Sequence, residues 1–228
     1  MKTILPQEAI EILKIISKDR MRTNLLKNFE QKILVFLVKR IPSFIKPDML
    51  TFIGFLGGLT ILLSFILATY LNRNYLLLGV PGFAINWFGD SLDGRLAYYR
   101  KQPRKWYGFS LDLMADWISI ICIGLGYLIY TEGMWELAGM GFVVMYGWSM
   151  IIALIRYKVT GNYTIDAGLV GPTEVRIIIS AILVLEVFFR DSILYSATVA
   201  CAILIIINII HTLKLLQLAG EKDKTETQ

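Results

Sequence analysis

"GDSLDGRLAYYRKQPRKWYGFSLDLMAD", Gly89 to Asp116, is the stretch on which the reading of this chain turns. It lies between two long apolar segments and carries four aspartates, Asp90, Asp93, Asp112 and Asp116. Asp90 and Asp93 are three residues apart, and Asp112 and Asp116 are four apart. On a helix each spacing puts both carboxylates of a pair on one face. A short basic loop joins the two halves, so they are expected as antiparallel neighbours with the pairs facing each other at similar depth. Four converging carboxylates repel unless cations neutralise them. Oxygen-only ligands suit hard cations such as Mg²⁺ or Mn²⁺, and paired ions of this kind act on phosphorus. Acids inside a membrane segment are costly and mark function by default. Simple pairing with Arg95, Arg100, Arg104 and Lys105 accounts for the charge, but not for the spacing or for the small residues Gly94, Ala97 and Gly108 in step with it.

Outward from this stretch the chain is strongly apolar. Of its 228 residues 56% are hydrophobic and the mean hydropathy is +0.60, which points to an all-α polytopic membrane protein. Six spans are expected at about 49–70, 76–98, 108–130, 134–155, 173–189 and 193–213. Before them, "EAIEILKIISK" (8–18) and "FEQKILVFLVKRI" (29–41) place apolar residues at helical spacing. They read as amphipathic juxtamembrane helices over residues 1–45, ended by Pro42 and Pro47. A six-helix domain over 46–215 and a polar, frayed tail over 216–228 complete the division. The N-terminus shows no signal-peptide pattern.

Charge gives the orientation. Of the 23 Lys and Arg residues, ten fall in residues 1–48, five in 95–107, three in 156–176 and three after 213; only Arg73 and Arg190 lie in the other loops. The positive-inside rule then puts both termini and the aspartates on the cytoplasmic side of the cell membrane. The net charge of +5 is expected to meet anionic lipid rather than nucleic acid. Cys122 and Cys201 lie in apolar runs without metal-type spacing and read as small core residues. His211 and the five tryptophans read as interfacial and structural side chains.

The pattern Asp90-x2-Asp93-Gly94-x2-Ala97, then Gly108-x3-Asp112-x3-Asp116, resembles the signature of the CDP-alcohol phosphotransferases (CDP-alcohol phosphatidyltransferases), D-x2-D-G-x2-A-R-x(7–9)-G-x3-D-x3-D. The resemblance covers most of residues 45–215. It implies a six-helix enzyme that moves a substituted phosphate from a CDP-linked donor, CDP-diacylglycerol or a CDP-amino-alcohol, to an alcohol acceptor and releases CMP in phospholipid synthesis. By it, Asp90, Asp93, Asp112 and Asp116 look like ligands of two Mg²⁺ or Mn²⁺ ions, and Asp116 also like the general base on the acceptor hydroxyl. Gly94, Ala97 and Gly108 look like part of the nucleotide site. A homodimer is a further family expectation.

One position departs from the signature. Tyr98 stands where the pattern has Arg, and a phenol does not replace a guanidinium; Arg95 or Arg100 are candidates to serve the diphosphate instead. "KPDMLTFIG" (46–54) resembles the family's first-span opening, with Asp48 and Thr51 as candidate cytidine contacts or as helix-start caps. "GLVGPTEVRI" (168–177) resembles a G-P-x-E segment of the amino-alcohol enzymes. It makes Glu174 either a substrate-site residue or a first-turn acid favoured by the helix dipole. Arg156 and Lys158 either hold a phosphate-bearing acceptor or anchor the span end. Two other classes compete: a non-catalytic CDP- or lipid-binding relative, which Tyr98 allows, and a cation-dependent transporter. Transport sites lie near the midplane between repeats, and neither feature is visible here.

Overall fold

The computed structural model describes residues 11–12, 26–161 and 171–226. Its helices are α1 (Lys27–Val38), α2 (Pro47–Tyr70), α3 (Gly79–Tyr99), α4 (Lys105–Tyr130), α5 (Glu136–Thr160), α6 (Pro172–Phe188) and α7 (Ser192–Glu226). Short 3₁₀ turns, Arg73–Leu78 and Gly133–Trp135, precede α3 and α5. No strand occurs among the described residues. Proline opens α2 and α6 at the first turn, where its missing N–H and fixed φ suit a helix start.

By length and composition, α2, α4, the stretch Gly133–Thr160 and α7 can each cross a membrane. Their outward faces carry exposed apolar side chains, among them Phe52, Leu59 and Leu63 on α2, Met140 and Ile151 on α5, and Ile203 and Ile206 on α7. In water such a surface would aggregate; in lipid it is the solvated face, and the helical backbone satisfies its own polar groups. The protein is an integral membrane protein. Of the six expected spans, α3 and α6 fall short of the other four for visible reasons. α3 holds Asp90, Asp93 and Arg95 in its second half, and α6 has only 17 residues.

Glycines decide how α2 meets α3. A β-carbon on Gly89 would overlap the Gly54 nitrogen and the Leu50 carbonyl, and one on Gly57 would overlap the backbone of Asn86. The two helices therefore cross backbone to backbone, as small residues permit in membranes. α2 also packs closely on α4, while α3 and α4 barely touch. The expectation that the two halves of the aspartate stretch are packed neighbours is corrected here. Consecutive in sequence, they are both held by α2, because the glycine face of α2 offers a closer approach than either offers the other.

Two clusters fill the interior. One joins Ile61, Phe65, Leu76, Phe83, Ile120, Tyr127 and Leu183 from α2, the first 3₁₀ turn, α3, α4 and α6. The other joins Leu34 and Val38 of α1 to Leu50, Leu92 and Leu96, so α1 seals the bundle beneath the start of α2 and the end of α3. Helix α1 overlaps the expected segment 29–41, starting two residues before it and ending three before its end; the segment 8–18 lies outside the described residues except for Glu11 and Ile12. The tail differs from its reading as frayed. Helix α7 runs on to Glu226, with a Lys222–Glu226 pair at 3.6 Å on successive turns, a spacing that favours helix in a polar segment.

Candidate active site

Asp90 comes from the middle of α3, and Asp112 and Asp116 come from the second and third turns of α4. Carboxylate oxygens of the three lie within 4.8 Å of one another, and all three residues are half-buried. The donor set is oxygen only and anionic, drawn from two helices fixed on a third. That set fits a hard divalent cation.

Asp93, three residues after Asp90, has protein partners of its own. It is 4% exposed; its Oδ2 accepts from the Thr51 hydroxyl at 2.7 Å, and its Oδ1 accepts from the Gly94 N–H. These bonds tie Asp93 to the seam between α2 and α3. Thr51, expected as a cytidine contact, is its partner.

Arg176, in the second turn of α6, completes the cluster. Its Nη2 lies 2.7 Å from Asp90 Oδ2 and 3.8 Å from Asp116 Oδ1. Its Nε donates to Asn86 Oδ1 at 2.8 Å. Asn86 is buried, and its Nδ2 donates to the Gly54 carbonyl at 3.0 Å and to Ser119 Oγ at 3.3 Å. One amide thereby orients the guanidinium and ties α3 to α2, α4 and α6. A small cavity of about 20 Å³ opens beside these groups, lined by Asn86, Asp116, Ser119, Tyr146 and Arg176. Sequence reading missed both Asn86 and Arg176. Their signal is polarity within apolar helices, but nothing in their spacing names a partner.

The remaining expected residues separate into groups. Arg100 is taken up by the connection between α1 and α2. It donates to the carbonyls of Ile45, Pro42 (2.8 Å), Ile41 (3.3 Å) and Ser43 (3.5 Å), so its guanidinium clamps that connection. Arg95 is buried, and its Nη1 donates to the Ser91 carbonyl one turn back. Asp48 pairs with Arg104, joining the starts of α2 and α4. Both oxygens of Glu174 accept backbone N–H groups, from Leu26 at 2.9 Å and from Gly171 at 3.0 Å. This buried side chain fastens the start of α1 to the start of α6, from the first-turn position named as one of its two readings. Gly108 faces open space: apart from its own helix, no atom of the described residues lies within 4 Å of where its β-carbon would be. It is not a helix-contact glycine, unlike Gly54 or Gly57. Gly94 and Ala97 are half-buried on α3. Arg156, near the end of α5, has a buried Nε without a hydrogen-bond partner among the described residues.

The family model for CDP-alcohol phosphatidyltransferases matches residues 44–213. The chain belongs to this family. CDP-alcohol phosphatidyltransferases move phosphate-containing groups in lipid synthesis and depend on divalent cations. The match spans α2 to α7, so the triad and Arg176 both lie inside the CDP-alcohol phosphatidyltransferase region. No curated protein sequence matches the chain.

Proposed function

We propose that the protein transfers a substituted phosphate from a CDP-linked donor to an alcohol and releases CMP, with the donor being CDP-diacylglycerol or a CDP-amino-alcohol. The observation that carries this reading is the convergence of Asp90, Asp112 and Asp116 at three of the four aspartate positions of the family pattern. When bound there, two Mg²⁺ or Mn²⁺ ions would supply charge neutralisation at the diphosphate, with Asp93 at the edge of the set.

Asp116 is the base in this scheme. Its side chain is 37% exposed, which leaves it open to an acceptor hydroxyl, and it takes the hydroxyl proton as the oxygen attacks phosphorus. The bond that forms is acceptor oxygen to the donor's β-phosphorus; the bond that breaks is from that phosphorus to the oxygen bridging to CMP. Gly94, Ala97 and Gly108 line the nucleotide side, and the open space at Gly108 suits a flat ligand. Asp48 and Thr51 stand at the same end, and Arg156 is a candidate for a phosphate on the acceptor.

In the membrane, α3 and α6 complete six spans with α2, α4, α5 and α7, and α1 lies at the cytoplasmic surface. The 21-to-2 division of Lys and Arg supports cytoplasmic termini and a cytoplasmic site, where soluble and lipid substrates meet. The reading needs one chain, and the expected dimer plays no part in it.

Purified protein is offered CDP-diacylglycerol, CDP-choline or CDP-ethanolamine with Mn²⁺ and a panel of alcohols, diacylglycerol included. Lipid products are read by mass spectrometry and CMP by chromatography. One donor should give CMP and a matching phosphodiester lipid. CDP binding without CMP would instead favour the non-catalytic relative, and Mn²⁺ response without any CDP response the transporter.

A further inference from the structure

We infer that Arg176 supplies the guanidinium that the family pattern places at position 98, so that the donor's diphosphate is gripped from α6 and not from the end of α3. The inference rests on the phosphotransferase reading and adds to it a residue that the motif does not contain.

Position 98 is a tyrosine, and a phenol offers neither the charge nor the fork of donors that binds a phosphate in two places. The nearest candidates in sequence are differently engaged. Arg100 spends both terminal nitrogens on carbonyls of the connection between α1 and α2, and Arg95 turns one back onto its own helix. Arg176 reaches the triad from a different helix. It touches Asp90 at 2.7 Å and approaches Asp116 at 3.8 Å, the residues between which the reacting phosphate must lie.

Its bonding leaves capacity for a ligand. Asn86 holds Nε and Asp90 holds Nη2, while Nη1 has no hydrogen-bond partner among the described residues. The side chain is only 14% exposed. Partial burial strengthens a charge-assisted bond to a phosphate, and Asn86 fixes the plane of the fork before any ligand arrives. The carboxylates of Asp90 and Asp116 face Arg176 and would also hold a divalent cation when one is bound. A diphosphate contributes the extra negative charge that lets both cations and guanidinium remain in one site.

The test is equilibrium binding of CDP, CMP and cytidine to the solubilised full chain with Mn²⁺, using wild type, R176Q, R176K and the double variant Y98R/R176Q. Melting temperatures and Mn²⁺ binding by electron paramagnetic resonance accompany each. R176Q should lose on the order of 10- to 100-fold in CDP affinity while cytidine affinity and Mn²⁺ binding stay near wild type. R176K, which keeps charge but not the fork, should lose several-fold and serves if R176Q does not fold. Adding Y98R should recover much of the loss. An unchanged ratio of CDP to cytidine affinity in R176Q or R176K overturns the inference, as does equal weakening of all three ligands or loss of Mn²⁺ binding with R176Q. Failure of the wild type to bind any CDP compound overturns the phosphotransferase reading itself, and is told apart because it needs no variant.

Discussion

Thr51 donates its hydroxyl to Asp93 at 2.7 Å, joining the second turn of α2 to the second half of α3. Both residues are buried. The bond gives Asp93 a partner within the protein and sets it apart from the three carboxylates that converge beside it. Among the four aspartates of one motif, the fold thus makes a distinction that their spacings of three and four do not convey.

Replacing Thr51 with Val should destabilise the protein by about 1–3 kcal/mol, because a buried carboxylate loses a donor while the shape of the site is kept. Thr51→Ser should restore most of that. Denaturant or thermal unfolding of the solubilised protein measures both.

Asp112→Asn and Asp116→Asn should each lower CMP release by roughly 10²–10⁴-fold, the range expected when a positioned acid or base is lost. Stability should fall little, since both residues are only half-buried. Mn²⁺ should raise the melting temperature of the wild type, as any ligand of the native state does. The same addition should move Asp112→Asn much less.

Gly89→Ala and Gly108→Ala make an opposed pair. A β-carbon at Gly89 meets the backbone of α2, whereas one at Gly108 meets nothing. Overpacking of this kind costs about 1–3 kcal/mol and more when backbone must move. Gly108→Ala should leave melting unchanged and act on nucleotide affinity instead. Comparing unfolding with CDP binding for the two variants checks this.

Glu174→Ala should free the start of α1. Two backbone N–H groups, of Leu26 and Gly171, lose their acceptor, at a cost of about 1–3 kcal/mol. Limited proteolysis should then cut faster near residue 26, while Glu174→Gln, which keeps one acceptor oxygen, should lie between.

The helices were legible because each is a long apolar run with charge or proline at its ends; the starts fall within a few residues of those expected, while α5 runs on to Thr160 and α7 to Glu226, past the expected 155 and 213. Asp90, Asp112 and Asp116 were legible because helical spacing alone puts each pair on a face. What spacing cannot convey is which helix packs on which. That α2 stands between α3 and α4 depends on Gly54, Gly57 and Gly89 meeting in space, and no periodicity announces it. For the same reason Arg176 reads as one more basic residue near a helix start, and Glu174 as either a substrate-site residue or a first-turn acid, until the helices bring Asp90 to the first and Leu26 to the second. In the tail polarity alone suggests fraying, but the Lys222–Glu226 pair shows how a polar segment stays helical.

Asn86 has a consequence for how substitutions around the site combine. Its amide bonds at once to Gly54 on α2, Ser119 on α4 and Arg176 on α6. Effects of changes at Ser119 and Arg176 therefore will not sum, because each alters the setting in which the other is felt. Selection acting on one of these helices is in effect acting on four, and sequence drift in this part of the bundle is constrained to move in concert.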